Sequence, residues 1–400
     1  MATAVDFDPF RTEDLANPYP LYAELRRTAP VAFNERLDGW LVLRYADVKT
    51  VLRNTEVFSS RIRSARSTEN PNARELAPHH IAPVMSTTDR PRHTALRALA
   101  ATDFKRVEVE RLRPRIERMY DGLLERALIK PEIDLIAEIA SPLPKQLIVS
   151  MLGLAPLEHG TLQRWTDDAV SPITSFTSAP DAQRIERSFH EFLGYARECV
   201  ETHPGGGLLD ALLAGRESGV IDDDELIAHL LLLMIAGNET STALLGFATL
   251  TLLDHPESLC DLAAEPSLIP TAMEELLRWD GTVNQYTVRV ALEDVTLGGA
   301  AVRRGDRVLP CFASANRDED VFPDSDRFDI RRSPNAHLAF GTHVHACLGT
   351  SLAKLELEVF LERVLPRLRG MRLAVPRDEL TFRPSFRVRS LERLPLVGDW

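Results

Sequence analysis

The sequence predicts a mainly α-helical protein with small antiparallel β-sheets. Three observations carry this. Apolar residues recur at helical spacing through residues 107–128, 133–152, 221–253 and 352–368. Strand-like runs are short and flank the turn dipeptides Asp38-Gly39 and Gly305-Asp306. Linkers separate the periodic stretches, most clearly Pro204-Gly205-Gly206-Gly207.

Taken in order, Asn17-Pro18-Tyr19-Pro20 introduces an amphipathic helix that ends near Arg27, before Pro30. Residues 31–34 and 40–43 read as a hairpin, and 46–53 as a helix. Residues 61–88 are polar, carry Pro71, Pro78 and Pro83, and hold no sustained period; irregular stretches of this length tend to be functional. Residues 89–99 return to helix, with His93 and Arg97 four apart on one face. Pro142 and Pro144 break the 133–152 period, and residues 165–202 read as two helices around a loop at 171–180. The longest helix, 221–253, starts beside Asp222, Asp223 and Asp224, where the helix dipole favours anions. Glu275 and Arg278 share a later helix at i and i+3. Residues 302–303 and 308–311 alternate around Gly305-Asp306, and 382–396 read as a last hairpin with its tip near 389–391.

Composition narrows the function. The formal charge is 47 − 59 = −12, which argues against nonspecific nucleic-acid binding. Only five residues are lysine, so nearly all positive charge is arginine, which suits buried carboxylate pairing. The four cysteines show no disulfide or zinc spacing. The first residues, MATAVDFDPFRTEDL, lack the apolar core of a signal peptide, and no eighteen-residue uninterrupted apolar run exists. A cytoplasmic protein without a membrane partner is the expectation.

Chemistry concentrates in residues 340–349, FGTHVHACLG. Cys347 stands just ahead of the 352–368 helix, whose free N–H groups favour a thiolate, a metal ligand. A lone cysteine is ordinarily a buried structural residue, and His343 and His345 beside it also allow a zinc reading. A second cluster, Ala236-Gly237-Asn238-Glu239-Thr240, puts a glycine, an acid and a threonine inside an apolar helix, at local cost. The bland alternative is Thr240 bonding back to the Ala236 carbonyl with a small bend. Glu275 and Arg278 could likewise be a surface pair, stabilising by only about 0.3–0.5 kcal/mol.

Together, and in this order, these motifs resemble those of the cytochrome P-450 family. Phe340, Gly341, His345, Cys347 and Gly349 match its haem-binding signature. His343 stands where the family usually has glycine, and histidine is among the residues least penalised at positive φ. Ala236 to Thr240 match its Ala-Gly-x-acid-Thr pattern. Glu275 and Arg278 match its Glu-x-x-Arg pair, joined by Arg327, with Ser325 in place of the usual proline. The resemblance covers residues 18–395 and implies one domain over 1–400 and a P-450 fold, with haem b (iron protoporphyrin IX) between the long central helix and the cysteine loop and its helix.

By the same resemblance Cys347 is the iron ligand. His93, Arg97 and Arg289 hold the haem propionates, and Phe340, Gly341, His345, Gly349 and Ala236 border the haem. Glu239 and Thr240 relay protons to dioxygen. Leu232, Ile235, Ala236, Gln285 and Leu391 face a mostly apolar substrate, and residues 61–88 roof its pocket. The implied function is insertion of one oxygen atom into a small organic substrate, by hydroxylation or epoxidation, in natural-product biosynthesis. Electrons come from NAD(P)H through a separate ferredoxin reductase and ferredoxin, which the basic run Arg92, Arg97, Lys105, Arg106, Arg111, Arg113 and Arg115 would steer. A monomer is expected. The alternatives are ring coupling, a peroxide-driven enzyme, and a haem sensor without turnover; His343 alone supports the last. The basic residues Arg61, Arg63, Arg66, Arg74, His79 and His80 suit either an acidic or phosphopantetheine-linked substrate or a solvated loop.

Overall fold

The structure, a computed structural model, describes residues 8, 11–62, 81–155, 157–174, 179–281, 287–368, 370–383, 385 and 388–398. It opens with α1 (Thr12–Ala16) and α2 (Tyr19–Thr28). Prolines 18 and 20 flank the start of α2, where a missing N–H costs nothing. The expected hairpin forms as β1 (Val31–Asn34) and β2 (Gly39–Val42), turning through Asp38 at φ 46°. Helix α3 (Tyr45–Arg53) and the short strand β3 (Phe58–Ser59) follow.

Next come α4 (Arg92–Ala101), α5 (Arg106–Glu110) and α6 (Arg113–Ala127). The expected helix over 107–128 is therefore two. Pro114, in the first turn of α6, has its ring fixed for a helix start and not for a helix interior. The expected helix over 133–152 also changes. It begins as a strand, β4 (Glu132–Asp134), passes through a π-helical turn at Ile136–Ala140, and becomes α7 only at Pro142–Met151. Pro142 and Pro144 initiate α7 instead of breaking it, again because an N-terminal proline loses no hydrogen bond.

Helices α8 (His159–Thr174) and α9 (Ala179–Glu201) fulfil the two-helix expectation and take in both ends of the expected 171–180 loop, whose residues 175–178 lie outside the described residues. After α10 (Leu208–Glu217) the predicted 221–253 helix appears as α11 (Asp223–Ala236) and α12 (Glu239–Asp254), separated at Gly237-Asn238. A reciprocal cap starts α11: Glu225 N donates to Asp222 Oδ1 at 2.8 Å and Asp222 N to Glu225 Oε2 at 3.2 Å. Residues 223–254 contain a stretch with the apolarity of a membrane span, but 61% of its eighteen-residue window is buried inside the fold. Leu230, Leu231, Met234, Leu245, Leu250 and Leu252 are all essentially buried there.

The remaining helices are α13 (Pro256–Ala264), α14 (Ile269–Asp280), α15 (Phe312–Ala315) and α16 (Thr350–Leu368). Helix α16 packs between α6, α12 and α14 through Leu357, Val359, Phe360, Leu361 and Val364. The other strands are β5 (Arg289–Ala291), β6 (Val295–Leu297), β7 (Ala300–Val302), β8 (Arg307–Pro310), β9 (Met371–Leu373) and β10 (Pro395–Gly398). They build a five-stranded sheet in the order β1-β2-β8-β5-β3, a three-stranded sheet β4-β10-β9 and a β6-β7 pair.

Two sheet details differ from expectation. The pair β2·β8 is parallel, so the largest sheet is mixed; these strands are remote in sequence, and no turn dictates their direction. Gly39 permits it, since a Cβ there would stand 2.9 Å from Leu309 Cδ1. The Gly305-Asp306 turn forms, but β7 and β8 on either side of it join different sheets. Of the 382–396 hairpin, the bridge Phe382↔Leu391 is present, and residues 395–398 pair instead with β4 and β9.

The Glu275–Arg278 pair is interior: both side chains are 0% exposed. Two parallel bonds join them, Arg278 Nε to Glu275 Oε2 at 2.7 Å and Nη2 to Oε1 at 2.8 Å. The third guanidinium is not that of Arg327, which offers only its carbonyl to Arg278 Nη2. Arg332 takes the place, its Nε 3.3 Å from Glu275 Oε1. The chain turns at 328–332 so that Asp329 N also donates to Glu275, and this path, invisible to local spacing, decides which arginine arrives.

Candidate active site

The loop ahead of α16 is closed by its own backbone. Cys347 N donates to Phe340 O at 2.8 Å, Gly341 N to Leu338 O at 2.8 Å, and Leu338 N to Asn316 Oδ1 at 2.7 Å. Gly341 (φ 65°) and His343 (φ 65°) both take left-handed backbone. The family's usual glycine at the second position is thus explained, and histidine adopts the same turn, His343–His345 forming a short 3-10 segment. Phe340 is half-buried, and Gly349 leads into α16.

Cys347 is exposed, yet burial is the strongest influence on its thiol and pushes it up from its ordinary value. Both hold only if the sulfur opens on an internal space walled by protein. The Gly349 N–H, the Arg97 guanidinium and the Thr350 hydroxyl oppose the rise without overcoming it. The helix start alone therefore does not yield the thiolate expected from sequence; a bound metal cation would, since coordination deprotonates a thiol.

Two imidazole and two guanidinium side chains form one linked group here, and one of them, Arg97, interacts with the Cys347 sulfur. The His93 and His345 rings lie 4.2 Å apart. Arg97 interacts with Cys347, and Arg289 with both histidines. Burial, Arg289 and His93 press His345 down to about 3, so its ring is neutral, and its Nε2 meets Ser60 Oγ at 2.9 Å. His93 is 3% exposed and its pKa is lowered by burial, then by Arg97 and Arg90. Neither His93 ring nitrogen has a hydrogen-bond partner among the described residues. A buried polar atom left so costs about 1–3 kcal/mol, and an acceptor brought by a ligand relieves it. The side chain of Arg289, 3% exposed, is braced by Thr287 Oγ1 and Val288 O. Two arginines, an unsatisfied histidine and an accessible thiol suit a planar group with carboxylate arms and a central cation.

The motif on α11 and α12 sits at their break. Thr240 Oγ1 donates to Ala236 O at 2.9 Å, the back-bond weighed from sequence. Ala236 is exposed. Asn238 Nδ2 donates to Thr166 Oγ1 at 2.9 Å, which draws residue 238 out of the helix ladder toward α8. Glu239, Ile235 and Leu391 line one small cavity together with Ser141, Gln163 and Asn238. Leu232 packs with Ile81, Ala82 and Val84. Gln285 lies outside the described residues.

Several contributors carry no local signal. Ser60 reaches His345 only through the fold. Asp89 accepts from Ser59 Oγ at 2.5 Å, Ser60 N at 2.8 Å and Arg61 Nε at 3.1 Å, which fixes the segment over the histidines. Arg61 is thereby engaged, and Arg63, Arg66, Arg74, His79 and His80 lie outside the described residues. Ser241 Oγ donates to Glu356 Oε2 at 2.5 Å and ties α12 to α16; burial pushes Glu356 up to about 8. The basic run is also partly consumed: Arg92 bonds Val220 O and Glu225, Arg111 pairs with Glu108, and Arg113 with Glu110, Glu358 and Glu362. Lys105, Arg106 and Arg115 are exposed and form no ion pair among the described residues.

This is a helical scaffold presenting an accessible thiol beside a linked group of histidines and arginines, an arrangement compatible with a haem-thiolate protein. The cytochrome P450 family model matches residues 169–371. Cytochrome P450 107B1 of Saccharopolyspora erythraea is 38% identical over 90% of this chain and 89% of its own. The 6-deoxyerythronolide B hydroxylase of the same organism is 34% identical, covering 95% and 96%. Among solved structures, the bacillaene polyketide synthase cytochrome P450 PksS of Bacillus subtilis 168 superposes with TM-score 0.88 at 31% identity, covering 98% and 100%. The chain belongs to the cytochrome P450 family. It is a P450 monooxygenase; its cofactor is haem b, with electrons drawn from NAD(P)H through redox partners.

Proposed function

We propose that the chain is one cytoplasmic, monomeric domain over 1–400 that hydroxylates or epoxidises a small organic substrate in natural-product biosynthesis, with a ferredoxin and its reductase as electron source. The carrying observation is the linked group of His93, His345, Arg289 and Arg97, which meets accessible Cys347 through Arg97. Relatives named for 6-deoxyerythronolide B hydroxylation and for a polyketide synthase support the biosynthetic setting.

In this reading Cys347 Sγ would ligate the haem iron and His93, Arg97 and Arg289 would hold the propionates, with Phe340, Gly341, His345, Gly349 and Ala236 bordering the group. Bound there, the haem supplies dioxygen activation and oxygen transfer, which a thiolate ligand favours. The protein's own part is proton handling and positioning. Glu239, bordering a small cavity shared with Asn238 and Gln163, would take up protons, and the Thr240 hydroxyl, swung off Ala236 O, would pass them toward dioxygen. Leu232, Ile235, Gln285 and Leu391 would face the substrate as a mostly apolar set. The docking reading now rests on Lys105, Arg106 and Arg115, and charge reversal at these three slows ferredoxin-supported reduction at low salt.

Thr240→Ala uncouples turnover. Removing a proton-transfer group costs on the order of 10²-fold or more, so product per NAD(P)H falls at least about tenfold while oxygen consumption continues. Full coupling in this variant contradicts the relay, and a peroxide-driven enzyme then becomes the better reading. His93→Ala weakens haem binding by about 10- to 100-fold, the worth of one hydrogen bond to a charged group. Haem titration of apoprotein measures it, and unchanged affinity contradicts the propionate assignment.

A further inference from the structure

The segment ending the polar stretch is fastened to α11 at one point. Ala82 and Val84 pack on Ala228, with Ile81 and Leu232 beside them. Residues Met85–Thr87 then form a 3-10 turn, closed by Thr87 N and Thr88 Oγ1 on Val84 O. His229, 0% exposed, holds this turn from the helix side. Its Nε2 accepts from Met85 N at 3.2 Å, and its Nδ1 meets Glu225 O at 2.7 Å. Only the neutral ring carrying its proton on Nδ1 makes both bonds. A second proton on Nε2 would set two donors face to face.

We propose that His229 is a positioning residue that latches residues 81–88 onto α11, fixing the roof of the substrate chamber, and that proton uptake releases the latch. The roof part rests on the reading of Leu232 as a chamber residue; the latch itself does not.

The surroundings favour the neutral ring. Burial, the largest influence, lowers the His229 pKa. Glu225 on the same helix favours the cation, and Arg92 of α4, paired with Glu225, disfavours it. The residues packed from the segment itself, Ile81, Ala82, Val84 and Met85, carry no charge. A ring whose pKa is depressed in the closed state and ordinary when released stabilises closure fully above about pH 6.5 and loses that contribution as pH falls, by up to about tenfold per unit. A fully buried histidine could be simple packing, but packing does not predict this slope.

Hydrogen exchange of the holoprotein between pH 5.5 and 7.5, corrected for intrinsic rates, tests the latch. Opening of the peptide 81–88 should rise toward tenfold from pH 6.5 to 5.5, while α16 peptides stay level. His229→Gln keeps an acceptor for Met85 N–H without a titrating proton, so its opening should be flat in pH; His229→Phe should be open throughout. A flat wild-type profile, or the wild-type slope persisting in His229→Gln, overturns the latch. Spectral titration with imidazole and 4-phenylimidazole tests the roof. The affinity ratio, calculated on the neutral form of each probe, should shift toward the bulkier probe at low pH and in His229→Phe. An unchanged ratio beside the expected exchange slope overturns the roof assignment and with it the reading of Leu232.

Discussion

An Arg278→Leu variant loses about 3–5 kcal/mol of folding stability, the cost of leaving a buried carboxylate without its partner. Glu275 and Arg278 are both fully buried and joined by two parallel bonds. The guanidinium also carries the carbonyls of Asn316 and Ser325 at 3.0 and 2.9 Å and that of Arg327, so one truncation strands groups from three separate stretches. Arg332, at 3.2 Å from Glu275 Oε2, offsets part of the loss. Arg332→Leu is therefore the milder change, and Arg327→Leu milder still, because Arg327 contributes only its backbone. Urea unfolding followed by haem absorbance measures all three. Equal losses for Arg327 and Arg332 would contradict the observed geometry, and a loss below about 1 kcal/mol for Arg278→Leu would mean that water or neighbours satisfy the stranded groups.

This ordering marks a boundary in what the sequence reveals. The helix carrying Glu275 and Arg278 is readable because i and i+3 residues share a face. Which third arginine arrives depends on the turn after Phe328, a tertiary fact. The same boundary recurs elsewhere. Spacing and chemistry single out Cys347, the Ala236–Thr240 cluster, and His93 with Arg97 as candidates, because each group is local to one loop or helix face. Ser60 against His345, Asp89 across Ser59 and Ser60, and Ser241 on Glu356 are pairings of remote segments with no periodic trace. Prolines mislead in a specific way: Pro114 and Pro142 start helices, and a periodic pattern cannot distinguish a start from an interruption. Gly237-Asn238 splits the central helix because Asn238 finds a partner on Thr166 of another helix, which no helix propensity records.

The electrostatics of Cys347 separate two ideas that coincide in the sequence. A helix start was expected to make the thiol acidic by itself, whereas burial raises it and Arg97 only moderates the rise. Under the proposed ligation, thiolate character would come from the iron, and the protein's contribution is an accessible sulfur with Arg97 acting on it. If Cys347 is the iron ligand as proposed, Cys347→Ser removes it and leaves His93, Arg97 and Arg289 in place, so the variant should keep part of its haem affinity while losing the thiolate. Monooxygenase activity should fall below detection, a larger effect than that of any other single substitution at the site.

The carbon monoxide difference spectrum of the reduced protein, recorded with Cys347→Ser alongside, tests the central claim most directly. The account predicts a Soret band at the position characteristic of thiolate-ligated haem in the wild type, despite His343 in the loop, and its disappearance in the variant. A wild-type band typical of histidine-ligated or thiol-ligated haem, or a thiolate-type band that survives Cys347→Ser, would contradict it.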